Sequence, residues 1–374
     1  MLSIWERTSF HAAPDVAVVG AGLVGLFTAL HYQRRHPHHR VLVLEAGPFP
    51  AGASVKNAGF ACFGSPSELV HDMAREGEAK ALARVEERWR GLLELRSELG
   101  DDRIGFNASG GCELFRPDDP LYTQVADRFD ALNAALRPIF KDTVFTWRDA
   151  LIADMGLRAA HLAHTPLEGA LDSGRLMRTL LAKVQEAGVS VRTKAEVVGL
   201  EEAHTHVMLR LAEGDPVRAD RVVLATNGYL QRLLPDADVV PARGQVLLTA
   251  PIADLRLRGT FHANEGYYYF RELEGRVLLG GGRHLDKVGE TTMEPGVTPL
   301  LQDDLERLLR EVVLPDRSFS VEQRWSGIMG FRTQGKEPLV VRRSERTVVA
   351  AGLSGMGVAI GIRVARKAAE LLRA

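Results

Sequence analysis

The sequence predicts an α/β fold with a second, α+β part: a nucleotide-binding domain built from separate stretches of chain, with an antiparallel-sheet domain inserted between them. Three observations carry this. A buried apolar strand, Asp15-Val16-Ala17-Val18-Val19, runs straight into Gly20-Ala21-Gly22-Leu23-Val24-Gly25 and a helix. The chain has 374 residues, beyond the size at which one core usually keeps growing. The stretches 244–249, 266–271 and 276–280 follow one another without intervening helices, as antiparallel strands do.

The first element is the most informative. A helix over 23–34 exposes unsatisfied amides and the positive end of its dipole to whatever sits at its start, which suits a pyrophosphate. Gly20 permits the tight turn, Gly22 lets phosphates approach the backbone, and Gly25 lets helix and strand pack closely. Leu23 and Val24 open the helix. Glu45, twenty positions after Gly25 at the end of Val41-Leu42-Val43-Leu44, is placed to accept hydrogen bonds from a ribose. Together these make a Rossmann-like dinucleotide site, for FAD or NAD.

The remaining elements follow in order. A glycine-rich turn over 52–64 leads to a charged helical stretch over 67–99. Residues 111–115 read as a strand, and 119–136 as a helix with apolar residues at helical spacing. An Asp-Ser cap opens a helix over 173–187 that stops at Gly188. Strands are expected at 189–191, 196–201, 207–211 and 222–225. After the inserted sheet come a helix at 303–312, a buried strand at 347–351 and a final helix at 358–372. The nucleotide domain is thus expected to comprise residues 1–100, 150–235 and 322–374, and the substrate domain 101–149 and 236–321.

Bulk properties exclude several classes. With 47 basic and 48 acidic residues the formal net charge is −1, which provides no field for nucleic acid or an anionic membrane. Cys62 and Cys112 are the two cysteines, too few for a disulfide framework. The first residues lack a basic segment followed by an apolar core, and the nearly uncharged run 348–362 is too short to span a bilayer. These features lead to an expectation of a cytoplasmic protein with no membrane span. No metal site is read.

Several separate motifs match one family. The chain resembles the FAD-dependent oxidoreductases of the D-amino-acid oxidase type, which include glycine and sarcosine oxidases. The matching residues are Gly20 to Gly25 with Glu45, Gly52-Ala53-Ser54-Val55-Lys56-Asn57-Ala58-Gly59-Phe60 and Ala225-Thr226-Asn227-Gly228-Tyr229. Pro241-Ala242-Arg243-Gly244-Gln245, Trp325-Ser326-Gly327-Ile328-Met329-Gly330-Phe331 and Ala351-Gly352-Leu353-Ser354-Gly355-Met356-Gly357 continue the match in the family's order. The resemblance implies non-covalent FAD, held by the first glycine motif, Glu45, Ala46, Ser54, Lys56, Asn57, Ala58, Gly59, Val197, Ala225, Thr226, Asn227, Gly228, Gly327, Gly352, Ser354, Gly355, Met356 and Gly357. The second loop offers successive amides, a hydroxyl and a cation, a combination suited to anions. The last turn precedes a helix, whose amides would stabilise negative charge on a reduced flavin.

The resemblance also implies a substrate tyrosine on the strand Gly266-Tyr267-Tyr268-Tyr269-Phe270-Arg271, and the matching position is Tyr268. Strand alternation places Tyr268 and Phe270 on one face, and Tyr267, Tyr269 and Arg271 on the other. Met329 stands where amino-acid oxidases of this type carry a carboxylate-binding arginine; Arg332 lies three positions on, and Lys56, Arg243, Arg271 and Arg283 are other cations near the family motifs. Leu278 occupies the position of the lysine that promotes the oxygen reaction in sarcosine oxidases, leaving Lys56 as a replacement cation. His284 is a candidate base. The implied reaction is oxidation of a C–N bond in a small amine or amino acid by hydride transfer to flavin, with oxygen or another acceptor. Oxidation of a C–OH bond in a 2-hydroxy acid, a flavoprotein role in tRNA modification and a nicotinamide enzyme stay open as alternatives.

Overall fold

The structure, a computed structural model, describes residues 1, 3–117 and 119–372. The chain divides into two compact units, one of Met1–Val55, Met177–Pro241 and Met329–Ala374, the other of Lys56–Leu176 and Ala242–Ile328.

The first unit is built on a six-stranded sheet in the order Leu339–Arg342, Thr347–Ala351, Arg221–Leu224, Val16–Val19, Val41–Leu44, Ser190–Arg192. All pairs are parallel except the first, which is antiparallel. Val16–Val19 is buried throughout, as its uninterrupted apolar run requires. Helices Leu23–Arg35 and Gly357–Leu371 pack together, and Gly361 gives Leu23 and Val24 room to approach. A three-stranded antiparallel sheet, Val217–Ala219, Val207–Leu211 and Val197–Glu202, closes one apolar core with Val19, Leu44, Val222 and Leu224.

The second unit contains an eight-stranded sheet in the order Val321–Phe331, Val240–Thr249, Arg276–Gly281, Tyr268–Leu273, Thr260–Ala263, Gly111–Phe115, His161–Thr165, Thr146–Trp147. Its described pairings are antiparallel save one: Thr260–Ala263 runs parallel to Gly111–Phe115. One face packs Phe261, Phe270, Leu247 and Leu279 against Leu305 and Leu309 of the Pro299–Leu308 helix and its continuation. The other face carries Val246, Leu278 and Tyr269, which meet Ala58, Phe60 and Trp325.

Several sequence expectations are revised. The helical stretch over 67–99 is two helices, Pro66–Glu76 and Glu78–Leu99, separated at Gly77, whose φ of +89° leaves the helical region. The stretch over 119–136 also divides, into Pro120–Ala126 and Phe129–Phe140. His161–Thr165 and Thr260–Ala263 were not anticipated as strands, because neither is a long apolar run; partner strands, rather than local pattern, fix them. Residues 56–100 and 150–176, expected with the nucleotide-binding segments, lie in the second unit. There the helices of 66–99 pack with those of 120–140 around Phe63, Leu69, Val85 and Leu132.

Candidate active site

The glycine turn of the first unit leaves no room for side chains. A Cβ on Gly25 would sit 1.9 Å from the Gly20 carbonyl oxygen, and one on Gly20, where φ is +103°, 2.8 Å from that of Ala225. Helix Leu23–Arg35 starts at Gly22 without a side-chain cap, although Ser54 Oγ accepts from Leu23 N at 3.0 Å. Glu45 fastens the turn: Oε2 accepts from Ala21 N at 3.0 Å and Oε1 from Gly47 N at 3.1 Å. Each oxygen keeps further lone-pair capacity for a hydroxyl. Glu45 also continues the strand edge, since its backbone N–H reaches Arg192 O and its carbonyl accepts from Ala195 N. Val197 is buried at the start of its strand, and Ala46 is exposed.

Two further loops of this unit are tied together. Asn227 Oδ1 accepts from Gly352 N at 3.0 Å and Leu353 N at 3.4 Å, and Ser354 N donates to Gly330 O at 2.9 Å. Asn227 and Ser354 both hold positive φ, +46° and +48°, a conformation that costs roughly 1–3 kcal/mol at a non-glycine residue. Helix Gly357–Leu371 begins after Gly355 and Met356 with no side-chain cap. Thr226 Oγ1 and Ser354 Oγ are buried and meet no hydrogen-bond partner in the protein. Strained loops, uncapped helix starts and orphaned hydroxyls on these segments are what a dinucleotide would satisfy, so the residues fit the cofactor.

In the second unit, Asn57 Oδ1 accepts from Gly59 N at 2.9 Å and Ser173 Oγ at 2.7 Å. Gly59 has φ +72°, and a Cβ there would fall 2.2 Å from Leu171 O. Arg271, 9% exposed, donates to the carbonyls of Leu171, Gly59 and Ala58 at 2.9, 3.2 and 3.4 Å and so clamps this loop. Trp325 Nε1 donates to Lys56 O at 3.0 Å, and Gly327 lies two residues on in the same strand. Among the described residues the Lys56 ammonium makes no ion pair.

The two residues expected to contact substrate are engaged elsewhere. Tyr268 donates to Asp304 Oδ2 at 2.6 Å, and Asp304 is paired with Arg307. Burial, then the Asp304 hydrogen bond, push the Tyr268 hydroxyl well above its ordinary pKa. It therefore lies on the face packed against the Pro299–Leu308 helix. Arg332 Nε donates to Asp238 Oδ2 at 2.7 Å; Thr333, first by its side chain and then by its backbone, and Arg332 hold Asp238 down to about 2. Arg243 is likewise held by Glu290 at 2.7 and 2.9 Å. His284 stacks obliquely on Tyr267, and burial lowers its pKa.

What sequence reasoning missed is a transverse row. Glu113, His262, Tyr269, Gly280 and Val246 stand opposite one another on successive strands. The Tyr269 ring lies across Gly280, where a Cβ would come within 2.5 Å of it. Phe60 meets Tyr269 edge-on at 5.9 Å and His262 at 5.2 Å. Burial lifts the Tyr269 hydroxyl to about 12 and lowers His262 to about 4, so both are neutral near pH 7. The Tyr267–Tyr269 run was the visible signal for this row; its cross-strand partners were not.

Residues 15–371 match the family model described as FAD dependent oxidoreductase. The chain belongs to that family. FAD is accordingly its cofactor, and oxidation–reduction its chemistry. Gamma-glutamylputrescine oxidoreductase of Escherichia coli (strain K12) is 26% identical over 392 residues, covering 96% of this chain and 83% of the relative. Glycine oxidase from Geobacillus kaustophilus superposes with a TM-score of 0.77 at 22% identity, covering 96% of this chain and 94% of that one. L-proline dehydrogenase from P. horikoshii gives 0.75 at 18% identity, covering 96% and 93%. Among the described residues of this FAD-dependent oxidoreductase, no helix is long and apolar enough to cross a membrane.

Proposed function

We propose that this flavoenzyme oxidises the C–N bond of a small amine or amino acid to an imine, which water then hydrolyses. The observation that carries the reading is the set of orphaned buried hydroxyls, Thr226 Oγ1 and Ser354 Oγ, on the loops of an FAD-dependent oxidoreductase. The names of its relatives support the choice of bond, since glycine, L-proline and gamma-glutamylputrescine all carry an amine nitrogen. When bound, FAD supplies the two-electron acceptor.

The chain's own residues have separable tasks in this reading. Gly20, Gly22 and Gly25 leave backbone amides open to phosphate, and Glu45 takes ribose hydroxyls. Ser54, Ala46, Val197, Ala225–Gly228 and Gly327 line the dinucleotide, and Gly352–Gly357 present a helix start to developing negative charge. Arg271 positions the Ala58–Gly59 loop rather than binding substrate. Lys56, by its ammonium, supplies positive charge. The FAD is held without a covalent bond. The substrate amine reacts in its neutral form, which removes the need for a strong base. Arg332 and Arg243 are both held by carboxylates, so neither is assigned to an α-carboxylate of the substrate.

The test is anaerobic bleaching of the enzyme's flavin with amines, D- and L-amino acids and 2-hydroxy acids. Bleaching by amines with carbonyl product supports the proposal; bleaching by hydroxy acids alone sinks it. Acid precipitation should release the flavin into the supernatant. Lys56→Met should slow substrate oxidation or flavin reoxidation with oxygen about tenfold, and unchanged rates of both would remove Lys56 from the site.

A further inference from the structure

His262 lies in the Thr260–Ala263 strand, 8% exposed, and neither Nδ1 nor Nε2 meets a hydrogen-bond partner. A neutral imidazole carries one donor and one acceptor, and a polar group buried without a partner loses its hydration with nothing to offset it. Neighbouring buried polar side chains of this unit each keep at least one partner. Glu113 accepts from Ser65 Oγ at 2.9 Å, Ser67 N at 2.8 Å and Ser67 Oγ at 2.5 Å, and Glu168 accepts from Phe63 N at 2.8 Å. Arg88 has a vacant Nε but pairs with Glu68 at 3.0 Å, and Arg84 pairs with Glu76. His284 Nε2 retains a hydrogen-bond contact to Asn264 at 3.5 Å. Among the described residues, His262 shares with Thr226 and Ser354 alone the property of being buried with every side-chain polar atom unpaired. Those two hydroxyls lie on the cofactor loops.

The surroundings of His262 are selective. Phe60 stands edge-on to both His262 and Tyr269, at 84° and 77°, and Tyr269 is the direct cross-strand neighbour. Arg88 and Glu68, the charges that act on the imidazole, are paired with each other at 3.0 Å. Among the described residues nothing accepts from the Tyr269 hydroxyl.

We propose that His262 is a specificity-determining residue that hydrogen-bonds a neutral donor–acceptor group of the substrate, in a slot walled by Phe60 and Tyr269. Under the C–N reading above, on which the choice of group rests, that group is the unprotonated amine. A hydroxyl or carboxamide shares the same donor–acceptor chemistry, and the arms of the experiment separate them. A quaternary ammonium offers neither function and is excluded.

Binding to anaerobic holoenzyme whose flavin has been reduced with dithionite, so that no amine can be oxidised, tests this at pH 9 with benzylamine, benzyl alcohol, benzamide and benzyltrimethylammonium as probes. The readouts are flavin absorbance and histidine 15N resonances. Benzylamine should shift one imidazole resonance that His262→Asn lacks. Its Kd should rise at least tenfold in His262→Leu and return to within about threefold of wild type in His262→Asn, which restores a donor and an acceptor. Benzyltrimethylammonium should bind weakly and equally to all three. Tight binding of benzyl alcohol or benzamide in place of benzylamine would keep His262 as a binding residue and contradict the amine assignment. No imidazole shift with any probe, or unchanged Kd values in both variants, would overturn the role of His262. If His262→Leu does not fold, the wild-type shift and His262→Gln, which should bind no more than threefold more weakly, decide.

Discussion

The glycine turn over 20–25 and the tyrosine strand Tyr268–Leu273 are equally conspicuous as sequence, yet they differ in what their residues can be held to. The turn acts through its backbone: Gly25 abuts the Gly20 carbonyl five positions back, and Gly20 abuts that of Ala225. The strand acts through side chains, and adjacent tyrosines have opposite fates. Tyr268 is drawn to Asp304 on a helix 36 positions later, while Tyr269 faces Phe60 and His262. A motif that works through main-chain shape announces its role, whereas one that works through side chains has its role assigned by neighbours far away in the chain.

Gly25 is where the main-chain constraint is tightest. A Cβ 1.9 Å from a carbonyl oxygen forces the turn open, so Gly25→Ala should weaken FAD binding by roughly 100-fold or more and yield colourless protein. Retained flavin at wild-type affinity, read from absorbance after dialysis, would show that the turn is less constrained than its geometry implies.

A smaller effect belongs to the buried carboxylates of the second unit. Burial raises Glu113 and Glu168 to about 7 from an ordinary value of 4.5. The folded state therefore binds these protons more tightly than the unfolded chain does. The associated stability is fully present below pH 4.5, falls as pH rises, and is gone above about 7. Each group carries on the order of 3 kcal/mol of this dependence. Glu113→Gln, whose amide can still serve Ser65 and Ser67, should flatten the decline in Tm between those pH values by about half. An unchanged slope would mean that Glu113 does not titrate there.

The smallest effects should come from Tyr268→Phe and Arg332→Gln. Both side chains are committed to carboxylates, so kcat/KM should stay within about threefold of wild type. Stability should fall by roughly 1–3 kcal/mol for the former and under about 1 kcal/mol for the partly exposed Arg332–Asp238 pair. A loss of kcat/KM beyond tenfold in either, with Tm preserved, would return that residue to the substrate.

Legibility followed the same division. The strand, glycine turn, helix and acid of residues 16–45 could be read because apolar periodicity and glycine placement are local quantities. Ser54 and Asn227 stood out as motif members, but their bonds to Leu23 N and to Gly352 N are tertiary facts. Thr260–Ala263 escaped notice because a four-residue strand holding a threonine and a histidine has little pattern of its own; its neighbours on both sides stabilise it. With that strand went His262, whose significance is the absence of any partner in a buried place.

By itself, the sequence determined that this chain has a dinucleotide fold and which glycines shape it, since apolar runs and glycine spacing are patterns of residues a few positions apart. Only the tertiary structure decided which tyrosine stays available, which arginines are neutralised and which histidine is left wanting a hydrogen bond. Those outcomes depend on burial and on partners tens to hundreds of positions away, and chain order does not encode either locally.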